Sequence, residues 1–115
     1  MGHGYFTVVG FGIVVPVDLF LDQLSEDDAE TLDEAVEHVE DDFDVKIHRE
    51  EQEETVNVFV TTKGAIWVDA RGAGGSAEVV DPVKINEGHQ DLRNFAARYF
   101  PELPIQLTVY SYEGN

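Results

Sequence analysis

The sequence predicts an α+β domain in which a mostly antiparallel sheet carries two main helices on one face. Stretches rich in Val, Ile, Thr and Phe, several of them with period-two alternation, are typical of strands. Two other segments have apolar residues at helical spacing. Strands outnumber helices and follow one another in the middle of the chain, which favours this class over a parallel sheet with alternating helices. The length of 115 residues fits a single domain.

The N-terminal part of the chain predicts one strand followed by a short helix. Residues 5–15 are rich in β-branched and aromatic side chains, and a bulge is expected at Gly10 or Gly12. Pro16 suits the first turn of a helix, and the apolar residues of 17–24 recur at helical spacing. A mostly buried strand is therefore expected to lead directly into a helix.

An acidic amphipathic helix is predicted over residues 26–42. Ser25 is a good N-cap for it, and acidic residues in its first turn suit the helix dipole. At about 100° per residue, its Ala, Leu and Val residues cluster on one side. The acidic residues of the opposite side form the candidate partner-binding surface: Glu26, Glu30, Asp33, Glu34, Glu37, Glu40 and Asp41.

The remaining sequence predicts four further strands and the second main helix. Residues 62–64 form a turn, after which the chain is expected to return as a hairpin partner. Asn86 is expected to cap a helix that ends at Phe100. The predicted strands span 45–49, 56–61, 65–69 and 105–110. Without the short first helix, this order is the ferredoxin-like β-α-β-β-α-β pattern with an added hairpin strand.

The negative charge is concentrated in one third of the sequence. The chain has 24 acidic and 7 basic residues, for a net charge of −17. Residues 22–54 hold 16 of the acidic and two of the basic residues, so this segment carries −14 and the rest carries −3. Such a polyanion repels nucleic acids and anionic lipids. Direct binding to nucleic acid or to a membrane is therefore not expected, and basic protein surfaces are the favoured partners.

The charge of the predicted helix supports the leading hypothesis about function. Its ten acidic residues would lie along about 25 Å of helix, a linear density similar to that of DNA. We therefore expect a non-enzymatic binding or inhibitor protein that engages a nuclease or another nucleic-acid-binding protein by mimicking DNA. Small acidic viral proteins that block host defence nucleases act in this way as a class. The plainer interpretation is a solvated helix face.

A structural or assembly protein, also of the viral type, is the alternative hypothesis. Such a protein would form a homo-oligomer through its sheet, and its acidic face would serve solubility or adaptation to high salt. Trp67, Tyr110 and Tyr112 would supply an aromatic patch on one sheet face, although packing is the default role of such residues. Adaptation to salt spreads acidic residues over the whole surface, whereas here they are concentrated.

Catalytic and metal sites have weaker support. Glu34, His38 and Asp42 share a helix face at i+4 spacing and could hold a divalent cation, but no second His–carboxylate pair matches them. His89 is a candidate general base, yet a single helical histidine is usually structural. The glycine-rich loop 71–76 lacks the lysine and the following helix of a phosphate-binding loop. No catalytic residue, metal or cofactor is therefore predicted.

The sequence also predicts a cytoplasmic protein. It contains no cysteine, which mildly favours a reducing compartment. Its apolar runs are too short to span a bilayer, and its N-terminus lacks the basic residues of a secretory signal.

Overall fold

The computed structural model describes residues 4–25, 31–49, 56–69 and 80–114. The predicted glycine-rich loop and the first residues of the predicted acidic helix lie outside these ranges. The elements, in chain order, are β1 (Gly4–Pro16), α1 (Val17–Ser25), α2 (Leu32–Asp42), β2 (Val45–His48), β3 (Asn57–Thr62), β4 (Ile66–Asp69), α3 (Pro82–Ile85), α4 (His89–Tyr99) and β5 (Gln106–Gly114).

β1 is the central strand of the sheet and pairs along both of its edges. β5 pairs with residues 4–12 of β1 on one edge, and β3 pairs with residues 12–16 on the other. β2 in turn pairs with the outer edge of β3. All of these pairs are antiparallel, so the antiparallel sheet and the α+β class predicted from the sequence are confirmed.

β4 pairs with β1 along the same edge as β3, instead of turning back to pair with β3. Both strands pair antiparallel with β1, β3 as far as Gly12 and β4 from Val9 onward. Between these pairs, the four residues 62–65 lie opposite two residues of β1, so the chain has a bulge between β3 and β4, at the predicted turn. The predicted hairpin strand is therefore wrong, because the turn bends the strand without reversing it. The ferredoxin-like arrangement stays a prediction.

Helices α1, α2 and α4 cover one face of the sheet, as the sequence predicts. Val15 of β1 and Val58 of β3 are partners across the sheet and lie in one buried cluster with residues from all three helices. Phe20 of α1 and Phe95 of α4 are completely buried there. Burying aromatic side chains of this size contributes about 1.5–3 kcal/mol each, so this layer is the main source of stability.

The second main helix begins later than the sequence suggests. The Asp81 carboxylate accepts hydrogen bonds from the backbone N–H groups of Val83 and Lys84, at 2.9 and 3.4 Å, and so caps the short helix α3. Asn86 ends α3 rather than starting α4, which instead follows Gly88 with a left-handed φ of 86°. The prediction that Asn86 caps this helix is therefore wrong.

Gly12 allows the closest approach between β1 and β3. A Cβ atom at this position would overlap the Val60 carbonyl oxygen and lie 2.7 Å from the Phe59 ring. We therefore expect Gly12→Ala to lower the free energy of unfolding by about 1–3 kcal/mol, a typical cost of overpacking. Urea denaturation measures this change. Val14→Ala, at a partly exposed position of the same strand, is the control and should cost less.

Candidate acidic interface

Helix α2 begins at Leu32, and its N-cap is Thr31. The Thr31 hydroxyl oxygen accepts a hydrogen bond of 3.2 Å from the Glu34 backbone N–H. Ser25, predicted as the cap, is instead the last residue of α1, where its hydroxyl donates to the Asp22 carbonyl. The predicted start at Glu26 is therefore wrong for this helix, because α2 begins after Thr31, whose backbone is extended. A hydroxyl residue three positions before Glu34 was the available sequence signal.

The apolar side of α2 faces the core, so its acidic residues face solvent. Ala35 and Val39 are completely buried, and Leu32 and Val36 pack against the same cluster. The helix has six acidic residues and no lysine or arginine. Five residues of the predicted surface lie on it and are exposed: Asp33, Glu34, Glu37, Glu40 and Asp41. The other two, Glu26 and Glu30, lie outside the described residues.

Two basic residues meet the ends of this acidic segment. Arg49 forms an ion pair with Asp33, at the start of α2. Lys63, at the bulge between β3 and β4, lies 3.0 Å from the Asp44 carboxylate, and this hydrogen bond raises the pKa of Lys63. Because both pairs are largely exposed to solvent, each contributes little to stability. They place the positive charges at the two ends of this region, away from the middle of α2.

The middle of α2 carries a dense acidic surface formed by Glu34, Glu37, Glu40 and Asp41. Within the part of the chain that the structure describes, Glu37, Glu40 and Asp41 form no ion pair. Glu34, Glu37 and Asp41 follow one another at spacings of three and four residues, so they lie on one stripe directly opposite the core. The sequence predicted this stripe correctly, but not the two ion pairs, because they join residues far apart in the chain.

The candidate metal ligands on α2 come together only in part. The Nε2 atom of His38 lies 3.3 Å from the Asp42 carboxylate. Among the residues described, no group of three or more His, Asp or Glu side chains is arranged to hold a metal ion. The pair is half-exposed, and its geometry is that of an ordinary i, i+4 contact on a solvated helix face.

His48 is buried on the sheet face opposite the helices, a position that its sequence context did not reveal. Its ring lies beside Phe59 and Trp67, with centroids 6.0 and 5.8 Å away, and its Nε2 atom is 3.0 Å from the Thr61 hydroxyl. Burial, together with the nearby charge of Lys46, lowers the pKa of His48 to about 4. His48 alternates with apolar residues in the sequence, so only the register with Phe59 shows that it is covered.

The predicted aromatic patch lies on this same face. Trp67 is half-exposed, whereas Tyr110 is partly buried against Phe59 and its hydroxyl donates a hydrogen bond of 3.0 Å to the Asn57 carbonyl. The side chain of Tyr112 lies outside the described residues. Packing within the sheet is therefore the main role of Tyr110, and Trp67 is the part of the patch that reaches solvent.

A concave region lies beside α4. It is an open cleft of about 390 Å³, and its walls are mostly apolar side chains together with His89 and Arg93. The Nδ1 atom of His89 is buried and has no hydrogen-bond partner. None of the residues that line this cleft is a carboxylate or a hydroxyl residue, so they do not supply the nucleophile or the second titratable group of a general acid–base pair.

Comparison with known proteins gives no family or relative for this chain. No family model, no curated protein and no solved structure matches it. Over the residues that the structure describes, the helices are too short or too polar to cross a lipid bilayer. Functional inference therefore depends on the surface itself.

The crowded carboxylates of residues 22–54 should make stability depend on salt. At low ionic strength their mutual repulsion is weakly screened, because the Debye length is about 30 Å at 0.01 M and about 8 Å at 0.15 M. We expect the melting temperature to rise over this range, as measured by circular dichroism. A flat or falling curve would contradict a compact acidic surface, and a rise that continues to molar salt would indicate adaptation to high salt.

The buried His48 should make stability depend on pH. The unfolded chain binds a proton at this residue below pH 6.5, whereas the pKa of about 4 in the folded protein prevents this. Stability should therefore fall as the pH falls from about 6.5 to 4, by up to on the order of 3 kcal/mol from this group. Urea denaturation at a series of pH values measures this loss.

His48→Gln separates this effect from the titration of the many carboxylates. Its amide can still reach the Thr61 hydroxyl but does not titrate in this range. The difference in unfolding free energy between the wild type and this variant should shrink as the pH falls from 6.5 to 4. Parallel curves for the two proteins would show that His48 does not contribute.

Proposed function

We propose that this chain is a non-enzymatic binding protein whose acidic helix engages the basic surface of a nucleic-acid-binding protein. One observation carries the proposal. The exposed side of α2 presents six acidic residues and no lysine or arginine, while the opposite side is fixed in the core. A surface held in this way is preorganised, so little side-chain and backbone freedom is lost when a partner binds.

The charge density of α2 suits a groove that normally binds phosphates. Eleven residues form about 16 Å of helix at 1.5 Å per residue. Six charges over this length correspond to about one per 2.7 Å, between the values of about 3.4 Å for a DNA strand and 1.7 Å for the duplex. A row of Lys and Arg side chains that neutralises phosphates would therefore meet a similar density of carboxylates on α2.

The position of the charges also suits competition with nucleic acid. Glu34, Glu37 and Asp41 rise along the helix by about 4.5 and 6 Å in turn, so they form a line rather than a compact cluster. A chain of net charge −17 is attracted to a basic partner over a long range, which speeds association and makes it sensitive to salt. In this mechanism the acidic helix occupies the groove and excludes DNA or RNA.

The setting that fits this function is a cytoplasmic inhibitor of a nuclease, of the type with which viruses counter host defences. A homo-oligomeric assembly protein is the second candidate function. One feature favours it, namely the exposure of the apolar side chains Leu107 and Val109 on β5. The two functions differ in the surface that binds the partner, which is α2 for the inhibitor and β5 for the assembly protein.

Reversing the charges on α2 tests the proposed function. Glu34, Glu37 and Asp41 changed together to Lys should leave the fold intact, because these exposed side chains lie opposite the core. Each exposed ion pair contributes about 0.2–1 kcal/mol. Replacing three attractions by three repulsions should therefore weaken binding at least about tenfold. The probe is the set of basic proteins that immobilised wild-type chain captures from a lysate and that duplex DNA releases.

A charge-matched variant provides the control. Asp18, Glu87 and Glu102 are exposed and lie outside the acidic segment, and changing them to Lys alters the net charge equally, from −17 to −11. This control should still capture the DNA-releasable proteins. Equal loss in both triple variants would mean that only net charge matters. Retention by the α2 variant would mean that the acidic helix is not the binding surface.

A further inference from the structure

The strand β5 presents two apolar side chains to solvent. Leu107 pairs with Phe11 of β1, and Val109 pairs with Val9, so both lie on the sheet face that carries the helices. The N-terminus of α4 contacts this face at Phe11, whose ring lies 6.3 Å from that of His89. Leu107 is level with Phe11 and Val109 lies two residues further along β5, and these side chains are 59% and 66% exposed.

The outer edge of β5 lacks the features that normally protect an edge strand. Its register with β1 is continuous over nine residues, so it has no bulge. Between Gln106 and Tyr112 it contains no charged residue and no proline. Among the strands that the structure describes, none pairs with this outer edge. Such an edge is a template for pairing with another chain.

The distribution of charge makes a second copy of this chain the fitting occupant. The acidic helix α2 packs beside β2, at the edge of the sheet opposite β5. The strands β3 and β1 lie between β2 and β5. Three inter-strand spacings of 4.7–4.9 Å therefore place β2 and β5 about 14 Å apart across the sheet. Two copies of charge −17 that meet at β5 therefore place uncharged residues in contact and keep their two α2 helices apart.

We propose that two copies pair their β5 strands antiparallel about a twofold axis at Val109. The two Val109 side chains then face each other, and each Leu107 packs beside Ser111 of the other copy. Such an interface is isologous, with the same surface used by both chains. The dimer goes beyond the proposed function, because it leaves both acidic helices free and presents two of them to a partner.

Charge substitutions at Val109 test this pairing. Val109→Glu places two carboxylates opposite each other in the dimer, where like charges destabilise cross-strand pairing, but it adds only an exposed charge to the monomer. The purified full chain should sediment at twice its 12.8 kDa mass. The Val109→Glu and Val109→Lys variants should each sediment as monomers, with a dissociation constant raised at least about tenfold. An equimolar mixture of the two should recover the dimer.

Val83→Glu is the matched control, because Val83 is 81% exposed on α3 and distant in the sequence from β5. It should keep the dimer mass. The proposal is overturned if the wild-type chain is a monomer at high micromolar concentration in physiological salt, or if Val109→Glu remains a dimer. It is also overturned if the Glu and Lys mixture stays monomeric. These outcomes are independent of capture by α2, so either proposal can fail alone.

Discussion

Burial of one sheet face under three helices is the interaction on which the rest of the structure depends. Val15 and Val58 meet across the two central strands, and Phe20 and Phe95 fill the space above them. Phe95 also packs edge-on against Phe43, directly after α2, with centroids 5.6 Å apart. The end of the acidic helix is therefore fixed by an aromatic contact in the core rather than by favourable charges at its C-terminus.

This arrangement determines where the negative charge can lie. The apolar residues of α2 pack in the core, which fixes the rotation of the helix about its axis. Its acidic residues therefore face solvent. Two exposed ion pairs, Arg49 with Asp33 and Lys63 with Asp44, connect the start of α2 and the residues after its end to positions that directly follow β2 and β3. The resulting surface is highly charged, and the helix that carries it is anchored in the core.

The sequence predicted the parts of this structure that depend on local periodicity. The stripe of Ala35, Val36 and Val39 identified the buried side of α2, and period-two alternation identified β2, β3 and β5. The start of α2 was missed because Ser25 and Thr31 are both good caps, and the choice depends on where α1 ends. The bulge was mistaken for a hairpin turn because a Lys-Gly pair marks both a reversing turn and a bulge, and only pairing with β1 distinguishes them.

The contacts of the candidate site were less predictable for the same reason. The local sequence indicates that His48 is a polar strand residue. Its burial depends on the register that places it opposite Phe59 of β3, which the local sequence does not specify. The ion pair between Arg49 and Asp33 joins residues 16 positions apart across a helix–strand packing. Positions on one helix face follow from sequence, whereas partners on different elements follow only from the assembled sheet.

The bulge between β3 and β4 has a consequence for the cooperativity of the fold. It divides β1 into a half that is covered by helices, around Ile13 and Val15, and an outer half around Thr7 and Val9 that is paired with β4 and β5 alone. We expect backbone amides in the covered half to exchange with solvent only when the whole domain opens. Amides in the outer half should exchange through local separation of the paired strands, so that one continuous strand would belong to two units of different stability.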